Sequence, residues 1–160
     1  MPLFCSGVFD GLGKVLVIED DDAIRSLLVT ALNREHLVVD AAVDGVEALA
    51  LATASEYPVI LLDLMLPRLN GADFLAAYQN ACPATRSVVL VMTAFDDAGV
   101  ARMLPQPVHA IIRKPFDVPQ LVAIVAEIVR TRVTLEIKRA EDTPAADAFE
   151  PQSRPPELAC

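Results

Sequence analysis

Five short apolar runs rich in Val, Ile and Leu stand at 14–18, 37–41, 59–62, 87–92 and 110–113. They are mostly continuous rather than alternating, the pattern of strands covered on both faces. Between them lie segments with helical spacing. In 23–34, Ile24, Leu27, Leu28, Ala31 and Leu32 fall at i, i+3, i+4, i+7 and i+8. In 45–55, Val46, Leu49 and Ala50 form a face with the neighbouring alanines, and in 72–80 Phe74, Leu75 and Tyr78 form another. From Val118 onward, Leu121, Ile124, Val125 and Ile128 share one side. A weaker fourth helix has room only over about 97–104 before Pro105 and Pro107 stop it. Strands and helices alternating at this length predict an α/β fold: one parallel sheet with helices on both faces, joined by right-handed crossovers. Such sheets bind ligands beyond the carboxyl ends of their strands, where the winding direction switches.

The residues at those ends carry the chemistry. Val59-Ile-Leu-Leu stops abruptly on Asp63, and Lys14–Ile18 runs into Glu19, Asp20, Asp21 and Asp22. Val88–Met92 runs into Thr93, and Ala110–Ile112 leads to Lys114-Pro115. Two carboxylates about 4 Å apart repel by roughly 4 kcal/mol at an effective dielectric near 20. A cluster of them therefore needs a cation or raised pKa values. Mg²⁺ is the fitting cation, since it takes hard oxygen ligands and is commonly held by one or two carboxylates with phosphate and water. A carboxylate beside it can attack phosphorus, and a lysine can pair with phosphate oxygens as a point charge.

Each signal also has a plainer explanation. Asp21 or Asp22 can cap the following helix, and capping by Asp22 is compatible with metal binding by Asp20. Asp63 alone could be an inert strand-end acid, Thr93 an ordinary β-branched strand residue and Lys114 a surface lysine. Two loops favour the chemical alternative: Pro67 and Gly71 shape the chain after Asp63, and Pro115 can set a cis or otherwise fixed turn beside Lys114. The four signals also come in order, each at the correct end of one repeating pattern.

Taken together, residues 14–131 resemble the receiver domain of bacterial two-component response regulators. The resemblance implies a flavodoxin-like, doubly wound (βα)5 fold with five strands in the order 2-1-3-4-5. It implies that Asp63 accepts a phosphoryl group from a histidine kinase or phosphotransfer protein and is also a metal ligand. Glu19 and Asp20 match the acid pair that binds Mg²⁺, and Met65 is implied to offer its backbone carbonyl. Thr93 matches the switch hydroxyl and Lys114 the phosphate-pairing lysine. Two features depart from the family pattern. Ile111 occupies a position often held by an aromatic, and Leu104-Pro105-Gln106-Pro107-Val108 replaces the usual end of the fourth helix.

Composition narrows the class. A net charge of −9 disfavours general nucleic-acid binding and anionic membranes, and no apolar stretch approaches the roughly 18 residues of a membrane span. Cys5, Cys82 and Cys160 have no metal-type spacing, which suits a reducing cytoplasm, and His36 and His109 are expected to be surface or strand-edge residues. Residues 1–13 are expected to be a flexible leader and 14–132 the receiver. Residues 133–160 are expected to hold a helix extension to about Arg139 and a disordered, acidic, proline-rich tail.

The expected output is protein contact, through a downstream protein target or a homodimer, without nucleic acid. Two alternatives stand beside this reading. One is a receiver-like scaffold that works without phosphorylation. The other is an aspartyl-phosphate phosphatase or phosphotransferase, which Met65 in place of a second acid disfavours.

Overall fold

A computed structural model describes residues 13–104 and 108–142. Most of the expected leader, the tail beyond Asp142 and the Pro105–Pro107 segment lie outside the described residues, as do Cys5 and Cys160. Five strands form the sheet: β1 (Lys14–Ile18), β2 (Val38–Ala42), β3 (Val59–Asp63), β4 (Val88–Thr93) and β5 (Ala110–Arg113). The helices between and after them are α1 (Asp22–Arg34), α2 (Gly45–Ala54), α3 (Gly71–Ala81), α4 (Asp97–Met103) and α5 (Val118–Asp142). The strand order is β2-β1-β3-β4-β5, and every pairing is parallel. This is the doubly wound flavodoxin-like order.

The pleat divides the core into two layers. Val15, Val17, Val59 and Leu61 point to one face, where they pack with Leu28 and Leu32 of α1 and Leu121 and Val125 of α5. Leu16, Ile18, Ile60 and Leu62 point to the other, against Ala48 of α2, Phe74 of α3 and Val100 of α4. β3 is buried along its whole length, so the carboxylate that ends it emerges at the centre of the sheet.

Several helical faces are rotated or narrower than spacing suggested. On α2 the buried residues are Gly45, Ala48 and Ala52, while Val46 is exposed and Leu49 only half-buried. The cause is close packing: a Cβ at Gly45 would collide with the Leu69 carbonyl, so small residues rather than large ones face inward. Leu27 of α1 and Ile124 of α5 are exposed, because the crevice between these helices and the sheet is filled by Leu28, Leu32, Leu121 and Val125. The outer strands are less covered than expected, with Val38 on β2 and Ile111 on β5 exposed. Asp21, not Asp22, is the N-cap of α1 and accepts the Ala23 and Ile24 N–H groups; Asp22 pairs instead with Arg25. α5 continues past Arg139 to Asp142, and beyond the core Glu136 reaches Arg86 at 3.6 Å. His36 and His109 are both exposed, the latter at the β4–β5 edge with its Nδ1 accepting from Val89 N–H.

Candidate functional site

The carboxyl ends of β1, β3, β4 and β5 meet at one rim. Asp63 is the last residue of β3 and pairs across the sheet with Met92, one residue before Thr93. Thr93 pairs with Arg113, and its carbonyl accepts the Lys114 N–H at 2.8 Å. The Lys114-Pro115 peptide bond is cis. From there the Lys114 ammonium reaches back over the sheet. Its Nζ donates to Asp63 Oδ2 at 2.6 Å and to Glu19 Oε2 at 2.7 Å.

Glu19, Asp20 and Asp63 offer carboxylate oxygens that lie within 4.8 Å of one another. Glu19 and Asp63 are buried, whereas Asp20 faces solvent. Repulsion between unit charges at that spacing is roughly 3 kcal/mol at an effective dielectric near 20. The pKa directions follow from this crowding. Burial pushes Glu19 up, and the Asp63 charge adds to the rise, outweighing the opposing pull of Lys114. Burial alone would lower Lys114, but its bonds to Asp63 and Glu19 reverse the sign and hold the ammonium. Three converging hard-oxygen donors, one of them open to solvent, fit a divalent cation. Nothing in that donor set singles out magnesium.

Four of the expected site residues therefore come together: Glu19, Asp20, Asp63 and Lys114. Thr93 is fully buried at the neighbouring strand end, with its hydroxyl accepting the Phe95 N–H at 3.1 Å. Met65 stands in the loop after β3, where its side chain is exposed and its N–H donates to Asp63 Oδ1 at 3.0 Å. The two Asp63 oxygens are thus divided, one to the loop and one to the lysine.

Comparison with known proteins identifies the family. The response regulator receiver domain family matches residues 15–126. The chain belongs to that family. Response regulator MprA of Mycobacterium ulcerans is 33% identical over 149 residues, covering 84% of this chain and 55% of that protein. Response regulator ArlR of Staphylococcus saprophyticus is 29% identical over 117 residues, covering 73% of this chain and 52% of that protein. The chain thus spans about half the length of these two relatives. Among solved structures, the Francisella response regulator 1452 receiver domain superposes with a TM-score of 0.67 at 28% identity, covering 74% of this chain and 98% of that one. Vibrio cholerae chemotaxis protein CheY4 superposes with a TM-score of 0.65 at 25% identity, covering 72% and 98%. Since the curated relatives are longer, the expected lack of a nucleic-acid partner rests on the charge of this chain alone.

Sequence reasoning passed over two arginines that shape the receiver's rim. Arg25 Nη1 donates to the Glu19 carbonyl at 2.9 Å and the Asp20 carbonyl at 3.1 Å, bracing the acidic turn from α1. Its position three residues after Asp22 shows only the helical ion pair that it also makes. Arg68, in the β3–α3 loop, binds Asp44 in the β2–α2 loop. A pair 24 residues apart leaves no local signal. Among the described residues, no helix is long and apolar enough to cross a membrane.

Proposed function

We propose that this chain is a phosphorylation-activated receiver that accepts a phosphoryl group on Asp63 from a histidine kinase or phosphotransfer protein. The observation that carries this reading is the placement of Asp63. It ends the central strand, within reach of two further acids and hydrogen-bonded to an ammonium.

Glu19, Asp20, Asp63 and the Met65 backbone carbonyl would hold Mg²⁺. When bound, the ion supplies the positive charge that lets an anionic donor approach an anionic acceptor. Asp63 then attacks phosphorus, so an O–P bond forms as the N–P bond to the donor imidazole breaks, and the imidazole, protonated beforehand on its other ring nitrogen, leaves neutral. Lys114 is already bonded to Asp63 and transfers its pairing to the new phosphoryl oxygens. Thr93 exchanges its Phe95 N–H partner for a role as donor to the same group. The added charge and acceptor oxygens draw these side chains inward and shift a two-state surface. Output follows by contact with a downstream protein target or by homodimerisation in a cytoplasmic setting, without a nucleic-acid or membrane partner for this segment. Beyond self-phosphorylation and dephosphorylation at Asp63, no enzymatic role is assigned.

Incubation with acetyl phosphate, with and without Mg²⁺, tests the reading. Mass spectrometry is expected to show one added phosphoryl group on the wild type with the metal and none on Asp63→Asn. Labelling that ignores Mg²⁺ or survives Asp63→Asn overturns it, and an unlabelled wild type leaves the scaffold alternative. Continuous consumption of the donor at enzymatic rates would favour the phosphatase.

A further inference from the structure

The β3–α3 loop, residues 64–70, walls one side of the rim and is itself held in an uncommon shape. Arg68 has φ of 64°, a left-handed value uncommon outside glycine, asparagine and aspartate. The Leu69 N–H donates to the Pro67 carbonyl at 2.8 Å, closing a three-residue turn around Arg68. A γ-turn of that hand is rare and strained, and it persists only where its surroundings impose it.

The imposing partner is Asp44. It is only 3% exposed, and its Oδ1 caps α2 by accepting the Val46 N–H at 2.8 Å and the Glu47 N–H at 3.0 Å. Its other oxygen, Oδ2, takes Arg68 Nε at 2.7 Å and Arg68 Nη2 as well, so the guanidinium grips one carboxylate oxygen with two N–H groups. Beside this grip the Leu69 carbonyl sits against Gly45 with no room for a side chain. The two loops therefore touch through both backbone and charge. At its start the same loop supplies the Met65 N–H to Asp63 Oδ1, and at its end Gly71 N–H returns to the Leu64 carbonyl at 3.0 Å.

We propose that Arg68 is a positioning residue for phosphoryl transfer: clamped on buried Asp44, it holds the β3–α3 loop so that the Met65 N–H fixes the orientation of the Asp63 carboxylate. This inference rests on the reading of Asp63 as phosphoacceptor. Asp63 has two oxygens to share between a metal, a phosphoryl donor and Lys114. With Oδ1 tethered by the loop, the carboxylate presents one defined face. Without the clamp the turn relaxes, the tether lengthens and the acid samples orientations that do not react. Small misplacements of this kind cost rate steeply. A lysine at 68 carries the charge but lacks the fork that lets one side chain make two directed bonds to Asp44.

The test compares wild type, Arg68→Ala, Arg68→Lys, Asp44→Asn and the Arg68→Ala/Asp44→Asn double variant. Three quantities are read: the Mg²⁺ dissociation constant of the unphosphorylated chain by calorimetry, the acetyl phosphate saturation curve, and the thermal midpoint. The maximal labelling rate is expected to fall on the order of tenfold in Arg68→Ala. The donor concentration for half-maximal rate is expected to hold within about twofold, and Mg²⁺ binding is expected to weaken. Arg68→Lys is expected to behave as Arg68→Ala does. The double variant is expected to be no slower than either single one, because the pair acts as a unit. Leu121→Ala, in the core beside α5, is expected to lower the midpoint without slowing labelling. A wild-type rate and wild-type Mg²⁺ affinity in Arg68→Ala overturn the clamp, as does an equal loss of rate in Leu121→Ala. If no chain is labelled, the phosphoacceptor reading is what fails, and the Mg²⁺ affinities still decide whether Arg68 orders the site.

Discussion

Burial and hydrogen-bond partners together set the pH response of buried side chains in this receiver. Tyr57 is the clearest case outside the rim. Its phenol is buried at the start of β3 and donates to Asp40 Oδ2 of β2 at 2.6 Å. Burial first, and then the bond to Asp40, raise its pKa well above the ordinary 10.0. A proton held more tightly in the folded chain contributes stability that is complete below the unfolded pKa. It is lost as pH rises from there through the folded value. Wild type is therefore expected to lose stability between about pH 9 and about pH 11 by more than Tyr57→Phe does, so the gap between them narrows. Urea midpoints at the two pH values check this; a gap that stays constant rules out the Tyr57–Asp40 bond as its source.

At the scale of elements, glycines decide how closely helices approach the sheet. Gly71 opens α3 directly behind Asp63. A Cβ there would stand 2.5 Å from the Asp63 carbonyl oxygen and 2.8 Å from Leu64 Cα, both backbone atoms that cannot swing away. Gly71→Ala is therefore expected to push α3 off the end of β3. The expected loss of stability is roughly 1–3 kcal/mol, the usual range for an overpacked site, together with weaker Mg²⁺ binding as Asp63 shifts. Gly13→Ala is the control, since a Cβ there meets nothing within 4 Å. Denaturant midpoints and calorimetry on the two variants distinguish a packing effect at Gly71 from a general intolerance of alanine. α5 shows the converse: its first turns pack on the sheet, while Leu135 and Ile137 stay exposed past the core.

For the whole molecule, the two apolar layers on either side of the sheet support a rim that is electrostatically unfavourable by itself. Glu19 and Asp63 are buried acids sharing one ammonium, with Asp20 adjoining. A cation that binds only the folded arrangement adds stability by mass action, about 2.7 kcal/mol at a concentration of 100 Kd. Mg²⁺ is therefore expected to raise the thermal midpoint of wild type, and chelation to reverse the rise. Asp20→Ala should lose most of this shift, because Asp20 is the solvent-facing arm of the cluster. A midpoint indifferent to Mg²⁺ in wild type would mean that the acids do not act as a site.

Strand and helix order, the parallel sheet and the polar residue ending each strand were legible from local runs alone. A strand buried on both faces must be apolar along its length, so where that run stops on Asp63 or Thr93 the chain marks its own rim. The rotation of α2, the exposure of Leu27 and Ile124 and the Asp44–Arg68 grip were not legible there. Each depends on what another segment brings alongside. Gly45 faces inward only because the Leu69 carbonyl occupies the space a side chain would need. Arg68 takes its left-handed turn where a carboxylate 24 residues earlier is held in place to receive it. Periodicity records how one segment divides between apolar and polar environments, whereas contacts between segments exist only once the sheet has assembled.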